Sequence, residues 1–207
     1  MGKRMLGGLL LVVCLLGLGG CVFGSVDEMY ALPKSSEAYV NLQAKINEEK
    51  GTGEYIAPLN GENRQTIQLV DVDEDGLQEA VAFFRDADAD TPLRIVIFKQ
   101  DDQGEYQVYA RIQGVGSEID SIEYVDLGGA GESDVLVSWQ AGSSLRTLVG
   151  YTITDGQPTE IMRSAYDRYL TADLDGDGQE EVVLAQAEEE SSSTRIEYYD
   201  SRDGVLT

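Results

Sequence analysis

Apolar and polar residues follow three different rhythms along this chain. Met5 to Leu18 is an unbroken stretch of 14 apolar or Gly residues behind Lys3 and Arg4. Between Ser36 and Lys50, Tyr39, Leu42 and Ile46 recur at helical spacing, with Ser35 or Ser36 available as N-cap and Gly51 as a stop. That spacing predicts one amphipathic helix over 36–50. From Gln65 onward, short apolar runs alternate with acidic, Gly-containing loops, which is the pattern of β-strands.

The β region repeats. Three segments align without gaps: IQLVDVDEDGLQEAVAFFR from Ile67, IEYVDLGGAGESDVLVSWQ from Ile122 and YLTADLDGDGQEEVVLAQA from Tyr169. Their reference aspartates, Asp71, Asp126 and Asp173, stand 55 and 47 residues apart. Each repeat predicts a strand, an acidic loop, an apolar strand and a third strand, the last at 93–99, 146–153 and 194–199. Turns follow at Gln103-Gly104, Asp155-Gly156 and Asp203-Gly204. A fourth strand is expected at 105–111 and 158–164 and is barely begun at Thr207. A four-stranded antiparallel unit repeated every ~40–55 residues is the signature of β-propeller blades. The expected fold is mainly β: propeller-like antiparallel blades, two complete and a third partial, with one N-terminal helix. The repeats span about 65–114, 119–165 and 166–207. Closed propellers use about four to eight blades, and stopping just after a turn leaves the third blade's inner face and edge unpaired. The expectation is therefore a fragment of a larger propeller.

The loops carry the candidate chemistry. The first places Asp71, Asp73, Asp75 and Glu79 at positions 1, 3, 5 and 9, with Gly76 at 6; the third places Asp173, Asp175, Asp177 and Glu181 identically, with Gly178 at 6. Alternate residues of a tight turn point to one centre, and Leu77 or Gln179 at position 7 can offer its carbonyl. Six or seven oxygens at about 2.3–2.6 Å suit calcium, whereas magnesium demands a smaller octahedron, so two Ca2+ sites are expected. Each loop crowds five carboxylates into nine residues, which is unfavourable without a counter-ion. Neither loop is an EF-hand, because Ala82 and Leu184 stand where the bidentate acid belongs. The middle loop keeps Asp126 and Asp134 at positions 1 and 9 but has Gly128 and Ala130 at 3 and 5. It is expected to be empty or very weak, its turn preserved by glycines. Asp86, Asp88 and Asp90 also alternate, but Thr91 and Pro92 follow, and a soluble hairpin tip is expected there. Trp139 reads as core or blade rim, and the strand-spaced tyrosines as sheet packing.

Composition narrows the function. The chain has 38 acidic and 15 basic residues, a net charge of -23, no histidine, and cysteines only at 14 and 21. Without histidine there is no Ser-His-Asp or Cys-His catalysis and no His-ligated zinc. The charge repels nucleic acid and anionic headgroups.

Leu18-Gly19-Gly20-Cys21 behind a basic start and an apolar stretch resembles a bacterial lipobox. The competing reading is an uncleaved anchor, since the apolar run extends to Phe23. The lipobox implies a signal peptide over 1–20, lipidation at Cys21, a tether over 21–35, and residence on the extracytoplasmic face of a bacterial membrane. Cleavage would leave 13 basic residues against 38 acidic ones, a charge of -25, and no free thiol for a disulfide.

An acidic position 9 directly before a buried strand resembles the calcium loops of FG-GAP repeats, as in integrin α-subunit propellers and the related bacterial VCBS-type proteins. The resemblance covers 65–207. It implies a calcium-stabilised propeller serving as a binding or adhesion module, and it implies no reaction. The expectation is a non-catalytic binding or scaffold lipoprotein with an unidentified protein or glycan ligand. The alternatives are a carbohydrate-active enzyme working through a carboxylate pair and a calcium-dependent surface adhesin or sensor.

Overall fold

The computed structural model describes residues 37–207 apart from 88, 128–132, 144, 189–192, 203–204 and 207. The signal-like run, Cys21 and the tether lie outside the described residues, as do Asp88 and the interior of the middle loop. No helix among the described residues is long and apolar enough to cross a membrane.

One helix, α1 (Glu37–Lys50), precedes an all-antiparallel series of strands. The first sheet contains β1 (Glu54–Tyr55), β2 (Ile67–Val70), β3 (Glu79–Arg85), β4 (Leu93–Gln100) and β5 (Tyr106–Gln113). β1 and β2 share one edge of β3, pairing with Phe84-Arg85 and with 79–82 respectively, so five strands fill four places. The second sheet is β6 (Glu118–Val125), β7 (Asp134–Ala141), β8 (Leu145–Thr154) and β9 (Gln157–Tyr166), in chain order. The third is β10 (Arg168–Ala172), β11 (Glu181–Ala187) and β12 (Thr194–Tyr199). A separate hairpin, β13 (Ser201–Arg202) with β14 (Val205–Leu206), stands where a fourth strand of the third repeat is expected.

The sheets stack face to face in three apolar layers. Leu42 and Ile46 of α1 meet Ala80, Ala82, Phe84, Val96 and Phe98 on one face of the first sheet. Its other face, with Val81, Phe83, Ile95 and Ile97, packs on Ile122, Val135, Val137 and Trp139 of the second. The far side of the second sheet, with Leu136, Leu148 and Met162, packs on Val182, Leu184 and Tyr169 of the third. The stack has a direction. The aligned positions Ile67, Ile122 and Tyr169 face α1, the first sheet and the second sheet in turn, so α1 occupies the place of a preceding sheet. Coverage on both faces explains why β3 and β7 read as continuous apolar runs rather than alternating ones. β11 is buried on one side only; the opposite face of its sheet exposes Leu170 by 55% and Ile196 by 60%.

One expectation needs adjustment, and one strand was not foreseen. Tyr39 is 54% exposed, and Ala38 takes its place beside Leu42 and Ile46, because the buried seam follows the i, i+4 spacing of 38, 42 and 46. The short strand β1 carries no periodic signal and forms only because β3 offers it a free edge. Trp139, by contrast, lies where expected, fully enclosed between the first two sheets.

Trp139 fits only because position 114 lacks a side chain. A Cβ at Gly114 would sit 2.5 Å from Leu93 Cβ and 2.6 Å from Trp139 Cζ3. Gly114→Ala is therefore expected to destabilise the fold by about 1–3 kcal/mol, read as a lowered urea midpoint.

Candidate metal centres

The three acidic loops connect β2 to β3, β6 to β7 and β10 to β11, and the register aligns them. Val70 pairs with Glu79, Val125 with Asp134 and Ala172 with Glu181 as the last rung before each loop. The position-9 acid thus opens the second strand and turns its carboxylate back under the loop. It accepts the N–H of position 2 each time, from Val72 at 2.9 Å, Leu127 at 3.2 Å and Leu174 at 2.7 Å. Glu79 and Glu181 are 1% exposed and Asp134 is 4% exposed.

Inside the first and third loops, hydrogen bonding follows the same positions. Asp71 accepts from Gly76 N–H at 3.0 Å and Asp173 from Gly178 N–H at 3.2 Å. Asp75 and Asp177 each accept from the N–H two residues on, at 2.8 and 2.9 Å. Both turns need left-handed backbone at positions 4 and 6. Gly176 and Gly178 supply it in the third loop with φ 83° and 93°, while the first uses Glu74 at 52° and Gly76 at 86°.

These turns gather the carboxylates that the sequence singles out. Asp173, Asp175, Asp177 and Glu181 each offer an oxygen within 4.8 Å of the others, and Asp71, Asp73 and Glu79 do the same. In the first loop Asp71 Oδ1, Asp73 Oδ1 and Glu79 Oε1 are buried without a hydrogen-bond partner. Buried acceptors without donors are costly, and three converging on one point are what a cation relieves. Burial pushes the Glu79 carboxyl above its usual range, against the Val72 N–H and with help from the Asp73 charge. At position 7 Leu77 is exposed and Gln179 half-buried.

Asp75 stands apart from the first cluster because it is engaged elsewhere. Its Oδ2 lies 2.9 Å from Lys99 Nζ, which also donates to Asp73 Oδ2. The Lys99 hydrogen bond, aided by the Leu77 N–H, holds Asp75 below the usual carboxylate range. Burial lowers the Lys99 pKa, but Asp73 and Asp75 outweigh it and keep the ammonium protonated well above the ordinary lysine range. Lys99 is a site residue that sequence reading misses. The signal was its place in the third strand, directly across from Glu79, since Ala80 pairs with Phe98.

The loops are also fastened to one another. Ser133 N–H donates to Val72 O and Glu180 N–H to Asp126 O, each at 2.9 Å, linking successive sheets. Val72 and Leu127 at position 2 drop into the layer below the next loop, whereas Leu174, on the uncovered side, is 53% exposed. In the middle loop Asp134 accepts from Leu127 N–H and from Thr152 Oγ1. Asp134→Ala is expected to cost about 2–3 kcal/mol by orphaning those donors. Urea unfolding should give the same loss in calcium and in chelator.

Neither a family profile nor a curated protein matches this chain, so the site is characterised by its own geometry: two carboxylate-lined turns in phase with a β-repeat, each able to hold a metal ion.

Proposed function

We propose that this chain is a calcium-stabilised β-repeat module that acts as a non-catalytic binding or scaffold protein, lipid-anchored through Cys21 on the extracytoplasmic face of a bacterial membrane. The observation that carries the metal reading is the set of partnerless buried oxygens on Asp71, Asp73 and Glu79; at the matching positions of the third loop Asp173, Asp175 and Glu181 cluster likewise, joined by Asp177. Oxygen-only ligands on a flexible turn favour calcium over magnesium, which dehydrates reluctantly and demands a tighter octahedron. An exported domain without disulfides needs another source of rigidity, and ions bridging the first two strands of a sheet would provide it. The exposed apolar side chains of the third sheet and the loops are the surfaces offered for recognition of a protein or glycan.

Calcium should raise the melting temperature relative to chelator. At a hundredfold excess over Kd one site adds about 2.7 kcal/mol, equivalent to about 5–10 °C for a chain of this size. Asp71→Ala combined with Asp173→Ala should abolish the shift; no shift in the unmodified protein refutes the metal reading. The anchor has an independent check: Cys21→Ala should move the protein out of the membrane fraction on expression in a bacterial host. Unchanged membrane retention refutes lipidation.

A further inference from the structure

The two metal-capable loops share their left-handed turn positions but differ in what stands beside them. In each sheet the residue directly across from the position-9 acid lies at the end of the third strand. Register puts Lys99 there in the first sheet, Thr152 in the second and Asp200 in the third, each following the partner of the residue after the acid. Thr152 donates to Asp134. Lys99 brings a positive charge to the first loop, whereas among the described residues no ion pair reaches the clustered acids of the third.

Lys99 is firmly placed. Its ammonium bonds Asp73 and Asp75, at positions 3 and 5, and lies 5.8 Å from the centre of the Tyr109 ring. Three carboxylates converge in the first loop while four converge in the third, the missing one being Asp75. Yet the first loop still asks for a ligand. Glu79, 1% exposed, offers an oxygen to the cluster and keeps Oε1 without a hydrogen-bond partner, since Lys99 donates to Asp73 and Asp75 instead. For a divalent ion to use positions 3 and 5, Lys99 must leave them.

We propose that Lys99 is a tethered counter-ion of the first loop, which calcium must displace, so that the third loop fills at lower calcium than the first. This rests on the metal reading of both loops. The physical consequence is a division of labour. The first loop, which fastens the first sheet to the second through Val72, keeps a built-in cation when calcium is scarce. Among the described residues the third loop has none, so its order would follow the calcium concentration.

Calorimetric titration of the full chain with calcium chloride tests this, using Asp173→Asn with Asp175→Asn to silence the third loop and isolate the first. Lys99→Met in that background should tighten calcium binding by about tenfold or more, since a competing charge and two charge-assisted hydrogen bonds are removed. Lys99→Arg should leave the affinity within about twofold of the parent, because the charge is retained. Lys99→Thr, the residue found naturally in the second sheet, serves as a second neutral variant should Lys99→Met fold poorly. In chelator the neutral variants should melt below the parent, and calcium should restore them. Equal calcium affinity in neutral variants and parent overturns the counter-ion role while leaving metal binding intact. Filling of the first loop before the third in the unmodified protein also overturns it. No calcium uptake by either loop in any variant refutes the metal reading itself, and the inference with it.

Discussion

Each repeat turns on one buried carboxylate. Glu79, Asp134 and Glu181 stand at the first residue of the second strand, nearly inaccessible to water, and reach back to the N–H of position 2. An ionised carboxylate in such a place requires compensation. That single requirement shapes the loop above it, because the backbone must curl over the acid to present a donor. It also draws in whatever else can share the charge. In the second sheet this is the Thr152 hydroxyl; in the first and third it is a turn lined with further acids, an arrangement able to hold a cation. Fold and site therefore share one residue per sheet.

The stack follows from the same geometry. Closing the loop over the position-9 acid directs position 2 into the neighbouring layer, where Val72 and Leu127 become core residues. The N–H at position 8 of the following loop then meets the carbonyl beside it, so apolar packing and loop-to-loop hydrogen bonds favour the same arrangement. Because every sheet presents one face backward and the other forward, the packing is directional. Helix α1 covers the backward face of the first sheet with Leu42 and Ile46, held further by Arg94 and Arg111 on Glu49. In repeat architectures a terminal element of this kind caps a face that would otherwise remain apolar and open.

Sheets built on one plan diverge where the plan meets charge. The first loop tolerates a non-glycine residue in left-handed backbone at Glu74 and is crossed by a lysine; the third has glycine there and, among the described residues, no ion pair to its clustered acids. Under the proposed calcium reading, such differences set the order in which sites fill rather than whether the turn can form. Acidic excess, first a reason to exclude nucleic acid as a partner, then becomes locally specific: a carboxylate's consequence depends on what stands across the sheet from it.

Strand order within each repeat, the second strand as a continuous apolar run, and the loop acids with their positions were all legible from residue order. These are local properties: period-two burial, turn-forming glycines and carboxylates at fixed spacing act over fewer than a dozen residues. Sheet pairing partners far apart in sequence were not legible. β1 is too short to show a pattern, Tyr39 shares the helical spacing of its buried neighbours yet lies on the exposed side, and Lys99 is unremarkable in sequence. What decided them was the tertiary structure. A free edge on β3, the angle at which α1 meets the first sheet, and the cross-strand register that sets Lys99 opposite Glu79 exist only after distant segments pack, and electrostatic neighbours are defined by that packing rather than by spacing along the chain.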